Sequence, residues 1–156
     1  MKWMAVLALL TVVGCSAQPQ YSQLRTSEIM ASASDSILLQ AVPLDMDAAI
    51  FLNQGPQFDR QSTMPMASVR LLGNARVIPQ DIEIKTVVMR QPGHVMTLAE
   101  HQFEMHQSTD SDIWRLDKGA LAKVDQSQPV DVYLIFEHDD ALYVLQQRQV
   151  RVQAVY

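Results

Sequence analysis

The chain has 156 residues, 48% of them hydrophobic, with 17 acidic against 12 basic side chains and a formal charge of −5. That balance excludes a basic nucleic-acid binder, and a single cysteine excludes an internal disulfide framework or a multi-thiolate metal site within one chain. Five glycines and seven prolines are too few for a collagen-like or low-complexity protein, which leaves one folded domain after a short apolar leader.

Residues 1–15 read MKWMAVLALLTVVGC. Lys2 is a short positive start, and Met4 to Val13 is apolar apart from Thr11. Ten residues of helix cover about 15 Å, half of the roughly 30 Å hydrocarbon core, so this is no ordinary spanning helix. A positive start, an apolar middle and a small residue before a break form the pattern of a secretory signal. The break itself, Val12-Val13-Gly14-Cys15, resembles the lipobox of bacterial lipoproteins. The resemblance covers a processing signal and says nothing of the 141 residues that follow. It implies a signal peptide over 1–14 that is cut off, a Cys15 thiol linked to diacylglycerol, and acylation (palmitate) of the new amino group. Two or three acyl chains exceed the marginal binding of one, so such an anchor is stable. The competing reading is a buried free cysteine near the end of an ordinary signal peptide. Ser16 follows the cysteine, where an aspartate in proteobacterial lipoproteins tends to retain the protein in the inner membrane. Serine is compatible with outward transport, so the resemblance points to the outer membrane.

Loss of Lys2 with the leader brings the formal charge to −6, and no polybasic segment is present to grip anionic lipid. The membrane attachment is therefore expected from the lipid alone. Ser16 to Ser36 is rich in Ser, Ala and Gln, with Leu24, Ile29 and Met30 as its scattered apolar residues. Such a segment has little apolar area to offset its ordering entropy, so residues 15–36 read as the lipidated cysteine and a flexible tether. A short helix over Ser22 to Ala33, capped by Thr26 or Ser27, is the alternative. The domain is expected over 37–156.

Beyond the tether the period is mostly two. Asp81 to Met89 puts Ile82, Ile84, Thr86 and Val88 on one face, with Glu83 and Lys85 opposite. Val130 to Glu137 puts Val130, Val132, Leu134 and Phe136 on one face, with Asp131, Tyr133, Ile135 and Glu137 on the other. Both read as half-buried antiparallel strands. His138-Asp139-Asp140-Ala141 supplies a turn, Leu142 to Gln147 a return strand, and Gln149 to Tyr156 a further alternation, so a hairpin or meander closes the chain. Shorter runs at Ile37–Val42, Ala48–Asn53, Ala67–Leu72, Val95–Leu98, Gln102–His106 and Asp112–Leu116 are separated by turn chemistry at Asn53-Gln54-Gly55-Pro56, Gly73-Asn74, Gln91-Pro92-Gly93 and Ser108 to Ser111. Only Lys118 to Val124 looks helical. Many short strands predict an all-β fold, an antiparallel β-sandwich of immunoglobulin-like kind, with Trp114 and Phe136 as core candidates.

No serine stands in a G-x-S-x-G setting, and no glycine-rich phosphate loop is present. Asp139-Asp140 reads as turn chemistry rather than an acid–base pair, and Asp45 and Asp47 lack the glycine and closing glutamate of a calcium loop. The sharpest cluster is Met89, His94, Met96, His101, Met105 and His106. Thioether and imidazole ligands suit copper, and a hairpin between Val95–Leu98 and Gln102–His106 would bring His94 or Met96 near Met105 or His106. The cluster matches no copper-chaperone spacing, and methionine is a common filler of β cores. Gln146-Gln147-Arg148-Gln149 reads as a bent edge strand, with backbone pairing to a partner as the alternative. The expectation is a non-catalytic, membrane-anchored envelope lipoprotein without a cofactor. Its sandwich binds or scaffolds an envelope protein partner and no nucleic acid. The rival is a periplasmic copper-binding module using His94, Met96, His101 and Met105.

Overall fold

The structure, a computed structural model, describes residues 26–53 and 64–155. The leader, Cys15, Ser16 and the start of the expected tether lie outside the described residues, as do Gln54-Gly55-Pro56 and Tyr156. Alternating side chains build ten strands: β1 (Ser36–Leu39), β2 (Val42–Asn53), β3 (Met66–Leu72), β4 (Glu83–Gln91), β5 (His94–Ala99), β6 (Glu104–His106), β7 (Ile113–Lys118), β8 (Val130–His138), β9 (Ala141–Val150) and β10 (Val152–Val155). They form two sheets, one ordered β2-β3-β7-β6 with β1 and β10 both paired to β2, the other ordered β5-β4-β8-β9. Every pair between these strands is antiparallel except β10 with β2. The inner faces pack as an all-β sandwich around fully buried Leu44, Ile50, Val69, Leu71, Trp114, Leu116, Leu134, Phe136 and Leu145. Both aromatic core candidates are at its centre.

Turn chemistry sets the register. Gln40-Ala41 joins β1 to β2 and Asp139-Asp140 joins β8 to β9, each with two consecutive positive φ angles (47° and 62°, 49° and 59°). That is the primed two-residue loop whose twist matches a right-handed hairpin. Pro92-Gly93 joins β4 to β5, and Gly93 takes a φ of 75° that a side chain would resist.

Four local expectations are corrected. In β4 the register shifts between Ile84 and Thr86, so the alternation changes phase at Lys85. Ile82 and Ile84 share the core with Val87 and Met89, while Val88 joins the outer face. On the other side of β4, Thr86 Oγ1 donates to Leu98 O of β5 at 2.8 Å. Second, β8 is buried on both faces rather than one, because Tyr133 and Ile135 are covered from outside. Third, Lys118 to Val124 is no helix: Ala120 adopts a φ of 52°, which breaks the helical turn, and Leu121 drops into the core with its N–H on Pro65 O at 2.7 Å. Fourth, the chain after Gln149 does not continue the meander. Gln149 takes a φ of 59° opposite the register shift in β8, its N–H donates to Asp131 Oδ1 at 3.1 Å, and the chain passes to the other sheet as β10.

The cover over β8 comes from the segment read as tether. Residues 26–31 are helical, and Ser32 closes the helix with its N–H (3.1 Å) and hydroxyl (2.7 Å) on Ile29 O. Ile29, Met30 and Ala33 pack on Val88, Tyr133, Ile135 and Val144. Ser34 then bridges β9, accepting from Gln146 N at 2.9 Å and donating to Val144 O at 3.0 Å. Thus this chain's own backbone covers the edge of β9 at Leu145, and Gln146 to Gln149 continues it as a bent edge strand. No helix among the described residues is long and apolar enough to cross a membrane.

Candidate functional site

Extending the core-facing row of β8 by two positions reaches His138, which follows Val130, Val132, Leu134 and Phe136 on one face. Strand alternation therefore carries an imidazole inward, and its side chain is only 2% exposed. Burial of a polar ring requires partners, and three segments converge to provide them. Asp81, just ahead of β4, places Oδ2 3.0 Å from His138 Nδ1. Asp139, at the first hairpin position, places Oδ2 3.2 Å from His138 Nε2. Gln40, from the β1–β2 turn, brings its side-chain nitrogen to 3.0 Å from the same Nε2. Although Asp81 is close, it lies outside the direction of a hydrogen bond, and Nδ1 is a buried nitrogen with no hydrogen-bond partner.

More carboxylates surround this ring. Glu83 and Glu137 are cross-strand partners, a like-charged pair that would repel if left alone. Lys85, displaced by the irregularity in β4, puts its ammonium between them, at 2.8 Å from Glu83 and 3.2 Å from Glu137. The hydrogen bond to Glu83, with further help from Glu137, holds the Lys85 ammonium above the ordinary lysine value against the opposing effect of desolvation. Asp81, Glu83, Glu137, His138, Asp139 and Asp140 together line a cleft of about 290 Å³ at this end of the sandwich. Five carboxylates thus meet one ammonium and one imidazole. A ring this enclosed is a poor general base for a substrate, whereas the carboxylates at its rim suit a small cation.

The methionines and histidines singled out in the sequence fall in different places. His94 and Met96 share a face of β5, and Met96 packs against the core. Met105 packs against the core from β6, and Met89 is buried in β4. His101 is exposed in a short 3-10 turn, Glu100–Gln102. His106 is exposed, with Nε2 3.6 Å from Asp117. The expected hairpin is not formed: β5 pairs with β4 in one sheet and β6 with β7 in the other, so the 3-10 turn connects sheets rather than strands of a hairpin. Asp45 and Asp47 belong to β2 rather than to a loop, and they engage Asn74 and Arg70.

A larger cleft, about 770 Å³, lies by the 3-10 turn and is lined in part by Phe51, Met66, His101, Phe103, Arg115 and Asp117. Arg115 Nε is already held by Asp117 at 2.8 Å. Residues 54–63, which connect the strands at its rim, lie outside the described residues. Cys15, the expected lipidation site, lies outside them as well. His138 was missed in the sequence because the alternating run was ended at Glu137, one residue short. No protein-family model and no curated protein matches this sequence.

Proposed function

We propose that the chain is a lipid-anchored bacterial envelope lipoprotein, held at the outer membrane, whose β-sandwich binds or scaffolds an envelope protein partner without catalysing a reaction. The observation that carries this reading is Val12-Val13-Gly14-Cys15 behind one positive residue and an apolar run, with no other cysteine in the chain. Ser16 beside Cys15, in place of the aspartate that tends to retain such proteins in the inner membrane, supports the outer membrane.

The fold supports an anchored binding module in two ways. The order β2-β3-β7-β6 against β5-β4-β8-β9, with β1 and β10 added beside β2, supports the immunoglobulin-like reading that we favour. That architecture serves binding in many unrelated proteins and by itself assigns no ligand. In addition, ten residues separate Cys15 from the 26–31 helix, and a fully extended chain of that length reaches at most about 40 Å. An acylated Cys15 would therefore hold the start of that helix within about 40 Å of the bilayer.

The test is Cys15→Ala in cells fed labelled palmitate. The variant is expected to lose the label and to leave the membrane fraction. A variant that fractionates with membranes as before contradicts the proposal.

A further inference from the structure

We propose that His138 and Asp81 bind a divalent first-row transition cation at the hairpin end of the sandwich, with Asp139 orienting the imidazole. The proposal does not depend on the lipid anchor.

Two independent observations converge. The first is chemical: the cleft gathers Asp81, Glu83, Glu137, Asp139 and Asp140, and only Lys85 among the lining strands' described cationic side chains is paired into it. The second is the ring itself. His138 is 2% exposed, yet Nδ1 has no hydrogen-bond partner, and the Asp81 carboxylate lies beside it at 3.0 Å. A buried nitrogen left this way costs about 1–3 kcal/mol unless something satisfies it.

The distance suits a shared cation as well as a hydrogen bond, and direction separates the two. Two donors, each about 2.0–2.2 Å from one metal and separated by an octahedral or tetrahedral angle, lie about 3–3.5 Å apart. Nδ1 and Asp81 Oδ2 are 3.0 Å apart but off the hydrogen-bond axis. The ligand atoms of Asp81, His138 and Asp139 all fall within 4.8 Å of one another.

A metal-bound imidazole carries its proton on the other nitrogen and donates it to a carboxylate or carbonyl, which fixes ring orientation. Asp139 Oδ2 lies 3.2 Å from Nε2, within reach of that proton. Gln40 reaches the same nitrogen, and its amide presents oxygen instead of nitrogen after a half-turn of its end group. One imidazole with carboxylates suits Zn²⁺, Mn²⁺ or Fe²⁺ rather than Cu(I), which favours sulfur. Asp81 is 57% exposed, so water completes the coordination and the site opens outward.

The hairpin turn itself positions Asp139. Asp139 and Asp140 both adopt left-handed backbone angles that place Asp139 beside the ring. Asparagine accepts the same backbone conformation, so Asp139→Asn changes the carboxylate while keeping the turn.

The experiment is calorimetric titration of the full chain, in detergent micelles, with Zn²⁺ alone. One equivalent is expected to bind. Asp81→Asn should weaken binding at least tenfold by removing a ligand, and Asp139→Asn by about tenfold through loss of orientation. Thermal melts of both variants without metal verify folding. His101→Gln and His106→Gln should leave the titration unchanged, and nitrogen-15 spectra should show the metal-induced shift at Nδ1 of His138. Absence of a saturable site overturns the proposal, and so does binding that Asp81→Asn leaves intact. Binding lost with His101 or His106 would place the metal elsewhere and overturn it equally.

Discussion

Replacing Ile29 and Met30 together with serine separates a packed helix from a tether. Both side chains lie partly buried on Val88, Tyr133, Ile135 and Val144. Complete burial of one such side chain is worth about 1.5–3 kcal/mol; with part of each left in water, the pair contributes about 2–3 kcal/mol. A six-residue helix has no stability of its own, so its formation depends on that contact. The double variant should therefore lose about 2–3 kcal/mol in urea unfolding followed by Trp114 fluorescence, Trp114 being the only tryptophan after Cys15. Hydrogen exchange gives a local readout. The Ser34 and Gln146 amides, bonded at 3.0 and 2.9 Å across the bridge to β9, should lose protection while the Leu134 amide keeps it. A loss under about 0.5 kcal/mol with unchanged protection would refute the packed helix and return residues 26–36 to a tether.

Gln91 is the second test. It is 8% exposed and holds the distant 125–128 turn through Nε2 to Asp125 O (2.8 Å) and Gln128 O (3.0 Å), and through Oε1 from Asp125 N (2.9 Å). Gln91→Leu leaves these backbone groups without the partner and should cost about 2–4 kcal/mol in thermal unfolding; a change under about 0.5 kcal/mol contradicts it. Lys85 gives a pH dependence. Its folded-state value is raised above 10.5 by Glu83 and Glu137, so its contribution is complete below 10.5 and disappears as pH rises through the folded value. The stability gap between the protein and Lys85→Met should hold near neutral pH and close above 10.5; a gap that persists there contradicts the assignment.

The alternation in Val130–Glu137 and in the shorter runs located the strands because one buried face imposes a period of two on the chain. The same logic failed where the backbone departs from that period. One irregularity at Lys85 reverses the inside and outside of β4, and no residue type in DIEIKTVVM marks it. The helix over 26–31 stood in the sequence only as the alternative to a tether, because so short an apolar face gains stability only by closing onto an already folded sheet. Ala120 shows the opposite error: helix-forming residues in LAKV suggested a helix, and a left-handed alanine with Leu121 inserted in the core prevailed. His138 was legible in principle, since the period of two that buried Phe136 reaches it next. Its neighbours Asp81 and Gln40 were not, because they come from segments 57 and 98 positions away.

The lipid anchor is tested most directly by mass spectrometry of the amino-terminal peptide from protein extracted from native membranes. The account predicts that the chain begins at Cys15 and carries a diacylglyceryl group on sulfur with an acyl group on nitrogen. A chain that begins at Met1, or at an unmodified Cys15, would contradict it.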